Sequence, residues 1–240
     1  YKSYDIADVV VLLKDNGKVE EFPLHKFIIK SEATALYELV IDAPRDPEGR
    51  NKLPLADVSH GYFECLVSFI YRGYYDLPKD DAGNMQQARL DLLILANRFG
   101  CSRLKLRLES EIVNIGISAE SVSITLIHAH AHSCPLLKEA AMEAFLANPK
   151  RIMELKGWKE LQECPALLSE ILCWTQDVKS EILRDGDRVF PEVDKYDVST
   201  ILSKLCDANL DLDGDRTILV ARLKAHLADE KAKQDTSASS

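Results

Sequence analysis

Three histidines alternate along one predicted helix, and they are the first residues whose type and spacing could support chemistry. They are His128, His130 and His132. Because residues four apart share a helix face and residues two apart do not, only His128 and His132 can act together. A zinc site requires a third or fourth ligand, and the sequence contains no His-Glu-x-x-His pattern. The spacing favours packing and surface histidines, and we predict no metal ion.

A second candidate is the acidic segment Asp211-Leu212-Asp213-Gly214-Asp215, which superficially suggests a calcium loop. An EF-hand loop places glycine at its sixth position and a bidentate glutamate at its twelfth. Here the glycine is fourth and the twelfth residue is Arg222. We therefore predict a helix-capping turn at this segment, and no calcium site.

His25 is the third candidate, because an isolated histidine can act as a general base. No serine or cysteine in a nucleophile motif accompanies it, and the ten glycines are scattered rather than gathered into a phosphate-binding loop. We predict a partly buried structural histidine that is hydrogen-bonded to Asp8. The sequence thus offers no catalytic residue and no cofactor site, and we predict that the protein is not an enzyme.

The six cysteines form no Cys-x-x-Cys pair. Cys65, Cys101 and Cys173 lie inside apolar helical runs, which predicts buried, reduced thiols rather than disulfides or metal ligands. Reduced thiols are typical of a nuclear or cytoplasmic protein. The first residues, Tyr1 to Asp5, show no signal-peptide pattern, and the missing initiator methionine suggests a piece of a longer chain.

Composition narrows the class of partner. The 240 residues are 46% hydrophobic and carry a formal net charge of −9. Apolar content at this level can form a proper core, whereas the acidic balance disfavours non-specific binding to nucleic acids or anionic membranes. No apolar run is long enough to span a bilayer. We therefore expect protein partners and no membrane.

The chain begins with signals for strands. Val9–Leu13 is a short apolar run typical of a buried strand, and Asp15-Asn16-Gly17 has the chemistry of a tight turn. Val19 and Phe22 then belong to a return strand. Leu53-Pro54-Leu55 predicts a short edge strand, since proline suits an edge better than a sheet centre. These signals predict a small sheet.

Helical patterns dominate the rest of the chain. Ser59, Ser102 and Ser118 are predicted N-caps, and Gly73 and Gly100 are predicted helix ends. The predicted helices cover residues 31–41, 60–72, 85–99, 102–113, 118–132, 136–146 and 165–174. A polar linker, two short amphipathic helices and a disordered tail are predicted at 177–196, 197–228 and 229–240.

Three segments resemble the BTB/POZ family, and they occur in the family's order. They are Phe22-Pro23-Leu24-His25-Lys26, then Phe69-Ile70-Tyr71-Arg72-Gly73-Tyr74-Tyr75-Asp76-Leu77, then the helix pair Leu92 to Lys105. The resemblance implies an α+β BTB/POZ fold over residues 1–112, with a small sheet flanked by helices. It also implies a protein-interaction module.

Residues 113–176 resemble the helical BACK extension that follows the BTB domain in adaptor proteins. The segments Ser118-Ala119-Glu120-Ser121 and Gly157-Trp158-Lys159 are most similar to the speckle-type POZ adaptors. In that family the two domains link a substrate receptor to cullin-3 in a RING ubiquitin ligase. The resemblance therefore implies a non-enzymatic adaptor with cullin-3 as a partner, and a homodimer in the full-length protein.

The family's cullin contact corresponds here to Leu36–Asp42. Its candidate apolar anchors are Tyr37, Leu39, Val40 and Ile41. The segment Ile41-Asp42-Ala43-Pro44 lacks the glutamate of the family's hydrophobic-x-Glu motif. This departure leaves an alternative open, a BTB protein that self-assembles or takes part in transcription.

Residues 197–228 are similar to a SAP-type helical hairpin, in which a glycine precedes a basic residue, here Arg216. SAP hairpins often bind DNA, and Arg216, Arg222 and Lys224 would be the residues to do so. From Asp177 to the end, however, fourteen acidic residues exceed ten basic ones. This balance favours a structural hairpin over a DNA-binding one, and we predict protein partners.

Overall fold

The computed structural model describes residues 6–15, 18–78, 85–182, 193 and 196–237. The backbone divides into two compact units, residues 1–108 and residues 109–240. The first unit contains the strands, whereas the described part of the second unit is helical. The α+β fold predicted from the sequence, with a small sheet followed by helical segments, is confirmed.

The sheet of the first unit has three described strands in the order β2-β1-β3. They are β1 (Val9–Asp15), β2 (Lys18–Leu24) and β3 (Asn51–Leu55). Strand β1 pairs antiparallel with β2, with Val11 opposite Phe22, and parallel with β3, with Val11 opposite Leu53. The edge positions accommodate Pro23 and Pro54, since an edge strand need not donate every amide. The predicted turn residues Asn16 and Gly17 lie outside the described residues.

Helices complete the first unit. They are α1 (Lys26–Glu32), α2 (Thr34–Ile41), α3 (His60–Arg72), α4 (Met85–Arg98) and α5 (Ser102–Ile115), the last of which runs into the second unit. The prediction of one helix over residues 31–41 is wrong, because the backbone of buried Ala33 is not helical (φ −146°, ψ 75°). The amide of Leu36 donates to the carbonyl oxygen of Phe99 at 3.2 Å. The backbone after the break therefore forms a hydrogen bond with a residue outside α1.

Aromatic side chains form the centre of the core of the first unit. Phe63, on α3, is fully buried and meets Phe22 and Phe99 edge-on, with ring centroids 5.0 and 5.9 Å apart. Edge-to-face pairs add about 0.5–1.5 kcal/mol each beyond the area that they bury. Phe63 therefore links the sheet to the corner between α4 and α5.

The predicted caps fall at helix ends, but not all act as predicted. Ser59 is the N-cap residue of α3 yet makes no side-chain cap hydrogen bond, and Ser102 is the first residue of α5 rather than its cap. Gly73 and Gly100 end their helices with φ of 74° and 66°. This left-handed conformation favours glycine, since a Cβ atom would be strained there.

Seven helices are described in the second unit after α5. They are α6 (Ala119–Ala131), α7 (Pro135–Ala147), α8 (Pro149–Glu154), α9 (Gly157–Gln162), α10 (Pro165–Ile182), α11 (Val198–Asp207) and α12 (Arg216–Ser237). Ser118 is the N-cap residue of α6 without a side-chain cap bond. Three of these helices, α7, α8 and α10, begin at proline, which lacks the amide that would otherwise be left without an acceptor.

Two helices run further than the sequence predicts. Helix α10 was expected to end near Trp174 but continues to Ile182, so the predicted linker begins inside a helix. Helix α12 continues to Ser237, so the prediction of disorder from residue 229 is wrong as far as 237. Both extensions contain neither glycine nor proline, the two residues with the lowest helix propensity.

The core of the second unit is formed by α6 to α10. Phe145 and Trp158 stack with ring centroids 5.9 Å apart. Gly157 lies so close to α6 that an added Cβ would be 3.1 Å from that of Ser123. The buried core residues are Val122, Leu126, Ala141, Met142, Phe145, Ile152, Leu161, Leu167 and Ile171.

Candidate functional site

The predicted partner surface lies on α2, and its four residues do not share one face. Leu39 and Ile41 are 44% and 49% exposed, whereas Val40 is fully buried. Tyr37 is half-buried, and the ammonium of Lys30 lies 5.8 Å from its ring centroid. The prediction that Val40 is available as an anchor is wrong, because Leu36 and Val40 are four apart and both face the core.

Phe27 is an exposed apolar residue that no sequence pattern marks as a surface residue. This residue, on the first turn of α1, is 85% exposed, the most exposed large hydrophobic side chain among the described residues. Its neighbours Ile28 and Ile29 are partly and fully buried. Because three apolar residues follow each other here, the pattern alone does not identify the one that faces solvent.

His25 is partly buried as predicted, but its predicted partner is wrong. The Nδ1 atom of His25 lies 2.9 Å from the hydroxyl oxygen of Tyr71, and the same oxygen accepts the backbone N–H of His25. Asp8 instead accepts the backbone N–H of Lys26 at 2.8 Å, at the start of α1. Burial raises the pKa of Tyr71 to about 12, so the phenol remains protonated. His25 thus supports the junction between sheet and helix.

The histidines of α6 are divided between two environments. The rings of His128 and His132 stack with centroids 6.1 Å apart, as their shared face predicts. His130 instead lies beside Lys138, 3.1 Å from its ammonium, and Lys138 is ion-paired with Glu170. Within the described ranges no group of three or more His, Cys, Asp or Glu side chains converges as a metal site would require.

The cysteines agree only in part with their prediction. Those described are free thiols; Cys65, Cys101 and Cys134 are buried, whereas Cys173 and Cys206 are exposed. Burial raises the pKa of both Cys65 and Cys101 to about 11, so both are protonated and unreactive at neutral pH. Cys173 was expected to be buried, but its position on α10 faces solvent.

The acidic loop between α11 and α12 is a capping turn, as predicted. Asp215 Oδ1 accepts the backbone N–H of Ile218 at 3.0 Å, which caps the start of α12. Gly214 has φ of 126°, and an added Cβ would lie 2.8 Å from the side chain of Ile218. Arg222 closes the loop by donating to the carbonyl oxygens of Asp211 and Asp213 at 2.7 and 2.9 Å.

The three candidate DNA-binding residues are not a free basic patch. Arg222 holds the acidic loop and is ion-paired with Asp211. Arg216 is half-buried and donates to the carbonyl oxygen of Tyr196 at 2.6 Å. Lys224 is exposed on α12. Two of the three cations therefore support the hairpin itself, and three aspartates lie around them.

The α11–α12 hairpin contacts α7 through a partly buried carboxylate. Glu139 Oε2 accepts the backbone N–H of Val198, the first residue of α11, at 2.8 Å. Burial, first among several causes, raises the pKa of the Glu139 carboxyl. Since the folded pKa is raised, Glu139 contributes its full stability below the ordinary carboxyl pKa and loses it as pH rises through the folded value.

This linkage gives a pH prediction. In Glu139→Gln the acceptor is kept and the titration is removed. We expect the stability of the variant relative to the wild type to increase as pH rises from below the ordinary carboxyl pKa to neutrality. Chemical denaturation across that pH range measures the difference in free energy of unfolding. A difference that does not change with pH would contradict the prediction.

The geometry defines a class of protein, namely an α+β domain with a helical extension. Two family models match the chain, BTB/POZ domain over residues 1–115 and BPM/SPOP, BACK domain over residues 121–172. The chain therefore contains a BTB/POZ domain at residues 1–115, followed by a BACK domain of the BPM/SPOP type at residues 121–172. Both families belong to protein-interaction adaptors.

Two further findings concern similar proteins and membrane-spanning helices. No curated protein sequence gave a significant match to the chain. Among the described helices, none combines the length and apolar character needed to cross a membrane. The BTB domain and the BACK extension that were predicted from the sequence are confirmed. The similarity of the α11–α12 hairpin to a SAP hairpin stays a prediction.

Proposed function

We propose that this protein is a non-enzymatic adaptor that links a protein substrate to cullin-3 in a RING ubiquitin ligase. The observation that carries the proposal is the succession of a BTB/POZ domain and a BPM/SPOP-type BACK domain in one chain. We infer domain limits of 1–112 and 113–176, with the α11–α12 hairpin as a further element. A nuclear or cytoplasmic location is consistent with this role.

We place the cullin contact on the exposed residues of α2. Leu39 and Ile41 present apolar side chains to solvent, and half-buried Tyr37 is held beside Lys30. Val40 anchors this helix, because its side chain is buried in the core of the first unit. Two exposed aliphatic side chains on a well-anchored helix suit a partner groove, since little side-chain ordering is needed on binding.

The test is calorimetric titration of the chain with the purified N-terminal domain of cullin-3. We expect binding, and we expect the Leu39→Ala/Ile41→Ala variant to bind at least about tenfold more weakly, which corresponds to ~1.4 kcal/mol. Val19→Ala is the matched control, because Val19 is 53% exposed on β2 of the same unit.

Two outcomes separate the parts of this proposal. Absence of wild-type binding at tens of micromolar would remove cullin-3 and favour the alternative, a BTB protein that self-assembles or takes part in transcription. Normal binding by the double variant would instead move the contact away from α2. We propose that homodimerisation accompanies either function.

We assign the α11–α12 hairpin a structural role rather than DNA binding. The hydrogen bonds of Arg216 and Arg222 within the hairpin support this assignment, because a phosphate would have to compete with them. Asp211, Asp213 and Asp215 also place negative charge where a DNA backbone would approach.

A further inference from the structure

Two backbone amides at the start of α11 donate to carboxylates, one of which belongs to the N-cap residue of α11 and the other to a residue of α7. The first amides of any helix lack partners within it, so they need outside acceptors. Asp197, the N-cap residue, accepts the backbone N–H of Thr200 at 2.9 Å. The N–H of Val198 is bound instead by Glu139, which lies 59 residues earlier on α7. A local cap and a distant carboxylate therefore share this helix end.

Tyr196, which precedes the N-cap residue of α11, is held by Arg216 and Lys204. The guanidinium of Arg216, at the start of α12, donates to the carbonyl oxygen of Tyr196. The ammonium of Lys204 lies 5.4 Å from the centroid of the Tyr196 ring. Val198 itself is 1% exposed. The segment that enters α11 is thus fixed to α7 on one side and to α12 on the other.

We propose that Glu139 is a positioning residue that docks the α11–α12 hairpin onto α7 of the same chain. The face of α7 around Glu139 is then a receptor for this chain's own hairpin. The hairpin is a part of the second unit, not a separate module on a tether. Docking also keeps the guanidinium of Arg216 hydrogen-bonded to the carbonyl oxygen of Tyr196.

The charges around Glu139 indicate that its hydrogen-bond acceptor matters more than its net charge. Arg216 attracts the Glu139 carboxylate, whereas Asp197 and Glu143 repel it. From α6 and α10, His130 and Glu170 approach α7 at Lys138 rather than at Glu139. Since attraction and repulsion oppose each other, a neutral side chain of the same shape will keep the hairpin docked.

Amide hydrogen exchange on the full chain tests the proposal. In Glu139→Ala we expect the protection factors of the α11 amides to fall by at least about tenfold, because a part-buried donor has lost its acceptor. The amides of α6 and α9 will keep their protection. Glu139→Gln will behave like the wild type, and so will Glu143→Ala, which changes an exposed carboxylate one turn further along α7.

Three results would each overturn the proposal. The first is wild-type protection of α11 in Glu139→Ala. The second is an equal loss in Glu139→Gln, which would mean that charge rather than hydrogen bonding holds the hairpin. The third is a loss of protection spread evenly over α6 to α11, or failure of the second unit to fold, which would make Glu139 a residue of the general core.

Discussion

Gly100→Ala is expected to lower the free energy of unfolding by about 3 kcal/mol, from left-handed strain and overpacking together. Gly100 has φ of 66°, and an added Cβ would lie 2.7 Å from Thr34 Oγ1 and 2.9 Å from the backbone nitrogen of Ala35. The backbone of α2 cannot withdraw easily, because the amide of Leu36 is bonded to the adjacent Phe99. Denaturant unfolding of the variant measures the loss.

Gly73→Ala is the matched control for this experiment. Gly73 has φ of 74°, but nothing lies within 4 Å of an added Cβ. We therefore expect the strain of the left-handed conformation alone, about 1 kcal/mol. Equal losses in the two variants would show that the close approach between Gly100 and α2 has no energetic weight.

Glu109→Ala is expected to destabilise the second unit by about 3 kcal/mol, the sum of an orphaned buried donor and a cavity. Glu109 is 2% exposed, and its carboxylate accepts the backbone N–H of Leu137 at 3.1 Å. Leu137 lies in the first turn of α7, whose N-cap residue Cys134 provides no side-chain cap. The carboxylate of Glu109 therefore does for α7 what a local cap does elsewhere.

Glu109→Gln separates the two contributions, because glutamine keeps an acceptor oxygen and nearly the same volume. We expect it to lose about 1 kcal/mol, less than half the loss of the alanine variant. Thermal unfolding followed by circular dichroism compares the three proteins. A glutamine variant as unstable as the alanine variant would indicate that the charge of Glu109, rather than its bond to Leu137, stabilises the unit.

Local signals in the sequence predicted most of the elements. The alternating and apolar runs around Val9 and Leu53 gave the strands, and the glycines at 73 and 100 gave helix ends. Helix ends without such residues were placed less well. The end of α10 was predicted near Trp174 because apolar residues become sparse there, although helix propensity continues to Ile182.

The surface was harder to predict than the fold. Val40 was grouped with Leu39 and Ile41 because all three are apolar and adjacent, yet only the rotation of α2 against the core decides which of them is exposed. The partner of His25 is Tyr71, 46 residues away, and the acceptor for Val198 is Glu139. Contacts between such distant residues are fixed by packing and leave no periodic trace in one sequence.

The two capping carboxylates have an order along the chain. Glu109 precedes the amide of Leu137 by 28 residues, and Glu139 precedes the amide of Val198 by 59. Each acceptor is therefore made before its donor during synthesis from the N-terminus, and Glu139 lies on the helix whose start Glu109 holds. When α7 and α11 leave the ribosome, the carboxylate that accepts from each of them has already been synthesised. The second unit can therefore fold in the direction of translation.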